Sequence, residues 1–197
     1  GKYGSSVQTL LKKLSGLPVK IICPLHGPVL TGDLSGYLEK YDIWSSYRPE
    51  ERGVLIAYAS IYGNTASAAL RLRDMLARRG EKRVAAVDLA RSDISRAVAD
   101  AFRYDALVLA APSYDGAVLP PMAAFLSRLK AKNWQKRTAA VIENGSWAPS
   151  AGKVMLAALA EMKDVAVLEP MVSIRSAVSE ETATKLNELA DALAARG

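Results

Sequence analysis

From residue 53 onward, short apolar runs alternate along the chain with amphipathic stretches. The run Val-Leu-Ile-Ala-Tyr-Ala at 54–59 is typical of a strand buried on both faces, and the stretch after it places apolar residues at helical spacing. This alternation predicts a parallel sheet covered on both faces by helices. The predicted strands span residues 54–59, 83–88, 104–110, 137–142 and 165–168. The predicted helices span residues 64–79, 92–101, 119–131, 150–162 and 179–195.

Five strands and five helices in strict alternation predict one doubly wound α/β domain with a five-stranded parallel sheet over residues 53–197. Sheets of this type bind ligands beyond the carboxyl ends of their strands, near the point where the strand order reverses. We therefore expect a ligand site in the loops that follow residues 59, 111 and 143.

Residues 1–52 do not follow this repeat and predict an N-terminal α/β extension. The pattern indicates a helix over 5–14, a short strand over 19–23 and a second helix over about 33–45. A piece of fewer than about 60 residues rarely forms a stable core alone. It should either pack on the main domain or be the tail of another domain, and we favour the tail.

Composition narrows the classes of partner. The net charge of +6 comes from 26 Lys and Arg against 20 Asp and Glu, and the basic residues are scattered and form no tract. We therefore expect no nucleic-acid partner. No stretch approaches the roughly 18 apolar residues of a spanning helix, so we expect no membrane contact. The single cysteine, Cys23, has apolar neighbours, which predicts a buried, inert thiol and a cytoplasmic location.

The turn between the first predicted strand and its helix is rich in hydroxyl groups. At a helix N-terminus, hydroxyl and main-chain N–H groups favour an anion. The turn lacks the lysine of nucleotide-triphosphatase loops and the Gly-x-Gly-x-x-Gly of dinucleotide folds. The sequence therefore predicts a single terminal phosphate, held without a cation. The candidate residues of this turn are Ser60, Ile61, Tyr62, Gly63, Asn64 and Thr65.

Two further loops predict that the ligand carries a flat ring system joined to that phosphate. Aromatic side chains offer flat faces for stacking, and glycines let a ligand approach the backbone closely. Taken with the phosphate turn, these loops predict the cofactor FMN, with Tyr114 and Trp147 flanking its ring. No catalytic acid, base or nucleophile stands out. The candidate residues are Pro112, Ser113, Tyr114 and Asp115 in one loop, and Asn144, Gly145, Ser146, Trp147 and Gly152 in the other.

The three loops resemble the FMN loops of flavodoxin-like domains, most closely the domain found in flavodiiron proteins (A-type flavoproteins). The stretch Pro-Leu-His-Gly-Pro at 24–28, followed by Tyr37, Tyr41 and Trp44, resembles the end of the metallo-β-lactamase-like domain that precedes flavodoxin in that family. The resemblance implies that residues 1–52 are the C-terminal remnant of that domain and that residues 53–197 form the FMN-binding domain.

Members of that family reduce oxygen or nitric oxide at a diiron site that FMN supplies with electrons. The resemblance implies that His26 is an iron ligand in a full-length protein. A lone imidazole cannot hold two irons, so we expect this chain to carry electrons without completing the reduction. The resemblance also implies a redox partner, either a rubredoxin-like protein or an NAD(P)H-dependent reductase, and it allows a homodimer.

Two alternatives stay open at this point. One is a stand-alone NAD(P)H-dependent quinone or azo reductase with the flavodoxin fold, and the other is a cofactor-free interaction module.

Asp115 stands where we expect asparagine in the second loop. A carboxylate beside a flavin would lower the reduction potential of that flavin.

Overall fold

The computed structural model describes residues 2–196. Seven helices are present in this part of the chain: α1 (Gly4–Leu14), α2 (Ser35–Ser45), α3 (Asn64–Arg78), α4 (Ile94–Arg103), α5 (Pro120–Ala131), α6 (Ala151–Ala160) and α7 (Glu180–Ala195). The strands there are β1 (Ile21–Ile22), β2 (Leu30–Thr31), β3 (Glu51–Tyr58), β4 (Val84–Asp88), β5 (Tyr104–Tyr114), β6 (Ala117–Val118), β7 (Arg137–Asn144), β8 (Val165–Val167) and β9 (Val172–Ile174).

The main sheet has the strand order β4-β3-β5-β7-β8, and these strands pair in parallel. The order reverses at β3, because β4 lies on one side of it and β5 on the other. The predicted doubly wound parallel sheet is therefore confirmed. The reversal places a crevice beyond the carboxyl end of β3, where sheets of this type bind ligands.

The fifth position of the sheet is filled by two short strands, not by the single strand predicted at 165–168. β8 pairs with the first part of β7 and β9 with its last part. Between them lies Pro170, which has no N–H group to donate to a ladder. β9 is the part that reaches the carboxyl edge of the sheet, where it leads into the loop before α7.

Each face of the sheet is covered by its own helical layer. Leu55 packs with α4, α5 and α6, whereas Ile56 packs with α3 and α7. Successive residues of a strand point to opposite faces, so both must be apolar when both faces are covered. This explains why the central strands consist of continuous apolar runs.

The N-terminal segment, residues 2–50, is joined to the sheet by a few polar contacts. Buried Arg137 donates to the carbonyl oxygen of Tyr47 at 2.6 Å, and the N–H of Glu50 donates to the carbonyl of Arg103 at 2.8 Å. Burial lowers the pKa of Arg137 to about 10, so it remains a cation at neutral pH. Predicted helices at 5–14 and 33–45 correspond to α1 and α2. The strand predicted at 19–23 is shorter, β1, and pairs with the unpredicted β2.

Many apolar side chains of this segment are exposed, among them Leu17, Leu25 and Trp44. Cys23 is exposed as well, so the predicted buried thiol is wrong. Its apolar neighbours do not bury it because they do not enter the core. The division of the chain at residue 52 stays a prediction.

A buried ion cluster ties the end of the C-terminal helix to the start of β5. The Arg196 side chain is 2% exposed and lies 2.9 Å from both Asp105 Oδ2 and Glu81 Oε2. The main-chain N–H of Gly53 also donates to Asp105, at 2.6 Å. Burial alone would raise the pKa of Asp105, but the hydrogen bonds from Arg196 and Gly53 outweigh it and lower the pKa.

This lowered pKa predicts a loss of stability in acid. A carboxyl group whose pKa is lower in the folded state than in the unfolded state stabilises the fold at pH values above its unfolded pKa of 3.8. That stabilisation is lost as the pH falls through the folded-state pKa. In urea unfolding at pH 7, Asp105→Asn should be less stable than the parent chain. The difference should shrink below about pH 4. A difference that stays constant down to pH 2 would contradict this assignment.

Candidate functional site

A cavity of about 190 Å³ lies at the carboxyl edge of the sheet. The structure brings the three predicted loops together there, and a fourth loop joins them. Among residues 2–196, no lysine, arginine, aspartate or glutamate lines it. The lining residues are Ser60, Ile61, Tyr62, Asn64, Thr65, Pro112, Ser113, Asn144, Gly145, Ser146 and Ser176.

The turn after β3 presents unpaired donors to this cavity. Gly63 is the N-cap of α3 with a φ of 90°, a conformation that glycine adopts without strain. Glycine has no side chain to accept hydrogen bonds from the first turn of the helix, so those N–H groups are open to an external acceptor. Buried Ser60 accepts a hydrogen bond from the N–H of Gly63 at 3.1 Å, which leaves its own proton free to donate.

Asn144, at the end of β7, connects the turn to the fourth loop. Its side-chain amide donates to Thr65 Oγ1 at 3.3 Å and to the carbonyl of Ser176 at 2.9 Å, and its oxygen accepts from the N–H of Ser176 at 3.1 Å. Ser176 was not among the predicted site residues. Its position depends on β9, which the apolar pattern did not reveal.

The loop predicted after residue 111 is a β-hairpin. β5 continues through Tyr114 and pairs with antiparallel β6. Asp115 and Gly116 form its two-residue turn with φ values of 47° and 69°, as a type I′ turn requires. Ser113 lines the cavity, and its hydroxyl also accepts from the N–H of Ser150 at 2.7 Å. Tyr114 and Asp115 are exposed at the tip and do not line the cavity.

The loop after β7 has a lining part and an exposed part. The N–H of Gly145 donates to the carbonyl of Ile174 at 3.0 Å, which fixes the cavity wall. Trp147 is 95% exposed and lies outside the lining. Gly152 does not line the cavity either: its N–H donates to Glu143 Oε2 at 2.7 Å. A Cβ at Gly152 would lie 2.7 Å from that oxygen, so glycine is needed for packing.

The predicted metal ligand lies elsewhere. His26 is exposed on the N-terminal segment. Within residues 2–196, no group of three or more His, Cys, Asp or Glu side chains could hold a metal ion. None of the helices described there is both long and apolar enough to cross a membrane.

The strand order and the cavity define a doubly wound α/β protein with a cavity at the topological switch point. A family model described as "Flavodoxin domain" matches residues 55–176, and the chain belongs to this family. Among relatives, it is 36% identical over 75 residues to the putative diflavin flavoprotein A 4 of Synechocystis, covering 38% of this chain and 13% of that protein. It is 27% identical over 148 residues to the putative diflavin flavoprotein A 2 of Thermosynechococcus vestitus, covering 74% and 25%.

Solved structures show the same architecture. The rubredoxin oxygen:oxidoreductase of Desulfovibrio gigas has a TM-score of 0.87 and 21% identity, covering 98% of this chain and 48% of that one. The flavodiiron protein of Giardia intestinalis has a TM-score of 0.84 and 23% identity, covering 97% and 47%. The resemblance to flavodiiron proteins is thus confirmed for the fold. The chain spans about half the length of these structures and a quarter or less of the two diflavin relatives.

Proposed function

We propose that this chain binds one FMN noncovalently and passes electrons between a redox partner and a terminal acceptor. The observation that carries the proposal is the uncharged cavity at the N-terminus of α3, where main-chain N–H groups and the hydroxyls of Ser60 and Thr65 converge. A single phosphate fits such donors better than a pyrophosphate, for which the turn lacks the glycines.

The residues present supply donors for the phosphate of FMN and exposed aromatic side chains for its ring. Ser60, Thr65 and the N–H groups of the first turn of α3 would hold the phosphate. Tyr114 and Trp147, which are exposed and lie outside the lining of the cavity, would flank the ring. When bound, FMN supplies the electron-transfer chemistry, while the protein sets its orientation and exposure.

The comparisons support this proposal and suggest the kind of larger protein in which such a domain would act. Two relatives are named diflavin flavoproteins, and one solved structure is named a rubredoxin oxygen:oxidoreductase. In a full-length protein, electrons from FMN would reach a diiron site that reduces oxygen or nitric oxide, with His26 as one ligand. The electrons would come from a rubredoxin-like protein or an NAD(P)H-dependent reductase, and a homodimer would suit that transfer.

Titration of the purified chain with FMN, followed by visible absorption and fluorescence, tests the proposal. We expect one FMN per chain and no steady oxidation of NADH in the presence of a quinone. Steady NADH oxidation would favour the quinone reductase alternative. A chain that takes up no FMN would favour the interaction module and would overturn the proposal.

Asp115 allows a separate test of where the ring lies. If the hairpin tip lies beside the ring, Asp115→Asn removes a negative charge from its surroundings and should raise the midpoint potential. The shift should be on the order of tens of millivolts, because the carboxylate is exposed and screened. Asparagine tolerates a positive φ as aspartate does, so the turn should persist. An unchanged potential, measured by redox titration, would place the tip away from the ring.

A further inference from the structure

Asn144 holds two loops of the cavity at once. It is 7% exposed, at the carboxyl end of β7, and its side chain bonds to Thr65 on one side and to both main-chain polar groups of Ser176 on the other. Ser176 has a φ of 67°, in the left-handed region, which a serine adopts at some cost. The two main-chain hydrogen bonds offset that cost and fix the loop against the cavity.

The hydrogen-bond pattern fixes which way the amide of Asn144 points. The N–H of Ser176 needs an acceptor and its carbonyl needs a donor, so the amide oxygen must face the former and the NH₂ group the latter. The remaining N–H of that NH₂ group then donates to Thr65 Oγ1. Thr65 is therefore an acceptor in this contact.

The direction of this hydrogen bond determines whether the Thr65 hydroxyl can donate to a ligand. A hydroxyl has one proton and two lone pairs, and the contact with Asn144 uses a lone pair. Thr65 is 2% exposed, and no acceptor for its proton is found among residues 2–196. The proton is thus available to an anion in the cavity that Thr65 lines.

We propose that Asn144 is a positioning residue that presents the Thr65 hydroxyl as a donor to the phosphate and holds the Ser176 loop as the fourth wall of the site. This inference rests on the proposed function. Asn144 acts on the phosphate through Thr65, while the clamp on Ser176 keeps the amide in the required orientation. The hydroxyls of Ser146 and Ser176, 3.0 Å apart, close the same side of the cavity.

The test compares FMN with riboflavin, which differ only in the phosphate. Dissociation constants for both flavins would be measured for the parent chain, Asn144→Leu, Thr65→Val and the double variant, with Asn187→Leu on the exposed surface of α7 as control. Asn144→Leu should weaken FMN about tenfold, with riboflavin affected much less. The double variant should lose no more of the FMN preference than Thr65→Val alone, because Asn144 acts through Thr65.

A second measurement needs no flavin. Hydrogen exchange in the apo protein should show the N–H of Ser176 protected in the parent chain and in Thr65→Val, but not in Asn144→Leu or Asn144→Ala. If Asn144→Leu does not fold, Asn144→Ala takes its place in the flavin titrations.

Four results would overturn the inference while FMN binding by the parent chain stands. Two come from the titrations: the Asn144 variants lose FMN and riboflavin affinity equally, or the double variant shows additive losses of FMN preference. The third is an unprotected Ser176 N–H in the parent chain. The fourth is failure of both Asn144 variants to fold. The last would show that the side chain supports the core instead of the loops. A parent chain that binds neither flavin would instead remove the proposed function on which the inference rests.

Discussion

Replacing Arg196 with methionine is expected to lower the free energy of unfolding by about 3–5 kcal/mol. The change leaves Glu81, whose side chain is 6% exposed, and Asp105, at 20%, without the cation that both contact. Breaking a buried ion pair from one side is costly because the remaining charge stays out of water. For a chain of this length the midpoint of thermal unfolding should fall by roughly 10 °C.

Arg91→Met is the matched control for that variant. Arg91 lies 2.7 Å from Asp88 Oδ2, but its side chain is 74% exposed. Exposed pairs of this kind contribute about 0–1 kcal/mol. Chemical unfolding followed by circular dichroism measures both variants, and similar losses in the two would show that the Arg196 cluster is not a buried network.

Thr65→Val is expected to weaken FMN binding by about 1.5–3 kcal/mol, or roughly 10- to 150-fold in the dissociation constant. Valine has nearly the same shape but cannot donate a hydrogen bond to a buried anion. The fold should be retained, because Asn144 keeps both of its hydrogen bonds to Ser176.

Thr184→Val makes the same chemical change on the exposed surface of α7, in a residue whose hydroxyl donates only to the carbonyl of Glu180. It should bind FMN as the parent chain does. Fluorescence titration compares the variants, and a near-native dissociation constant for Thr65→Val would mean that the phosphate lies elsewhere.

The alternation of strands and helices could be predicted because the responsible signals are local, whereas the strand order came only from the structure. The apolar run at 54–59 and the helical spacing after it predicted β3 and α3 to within a few residues. The hydroxyl-rich turn between them could be located for the same reason. Its ligand is still a prediction, because a sequence that shows the donors does not show what they bind.

The fourth loop of the site could not be predicted, because its position depends on long-range pairing. β9 has only three residues, too few to show a periodic pattern, and it forms because β7 offers a free edge. The Asp-Gly pair at 115–116 did carry a hairpin signal, which would have shown that β5 continues into a paired strand. The prediction for Cys23 failed in the opposite way, because it assigned burial to a residue that is exposed. Apolar neighbours in the sequence indicate burial only where other parts of the chain pack over the segment.

A crystal structure of the chain at saturating FMN tests the central claim most directly. We expect the phosphate within hydrogen-bond distance of the hydroxyls of Ser60 and Thr65 and of the first-turn N–H groups of α3, with no lysine or arginine side chain in contact with it. A phosphate bound elsewhere, or a cavity that holds only water under those conditions, would contradict the account.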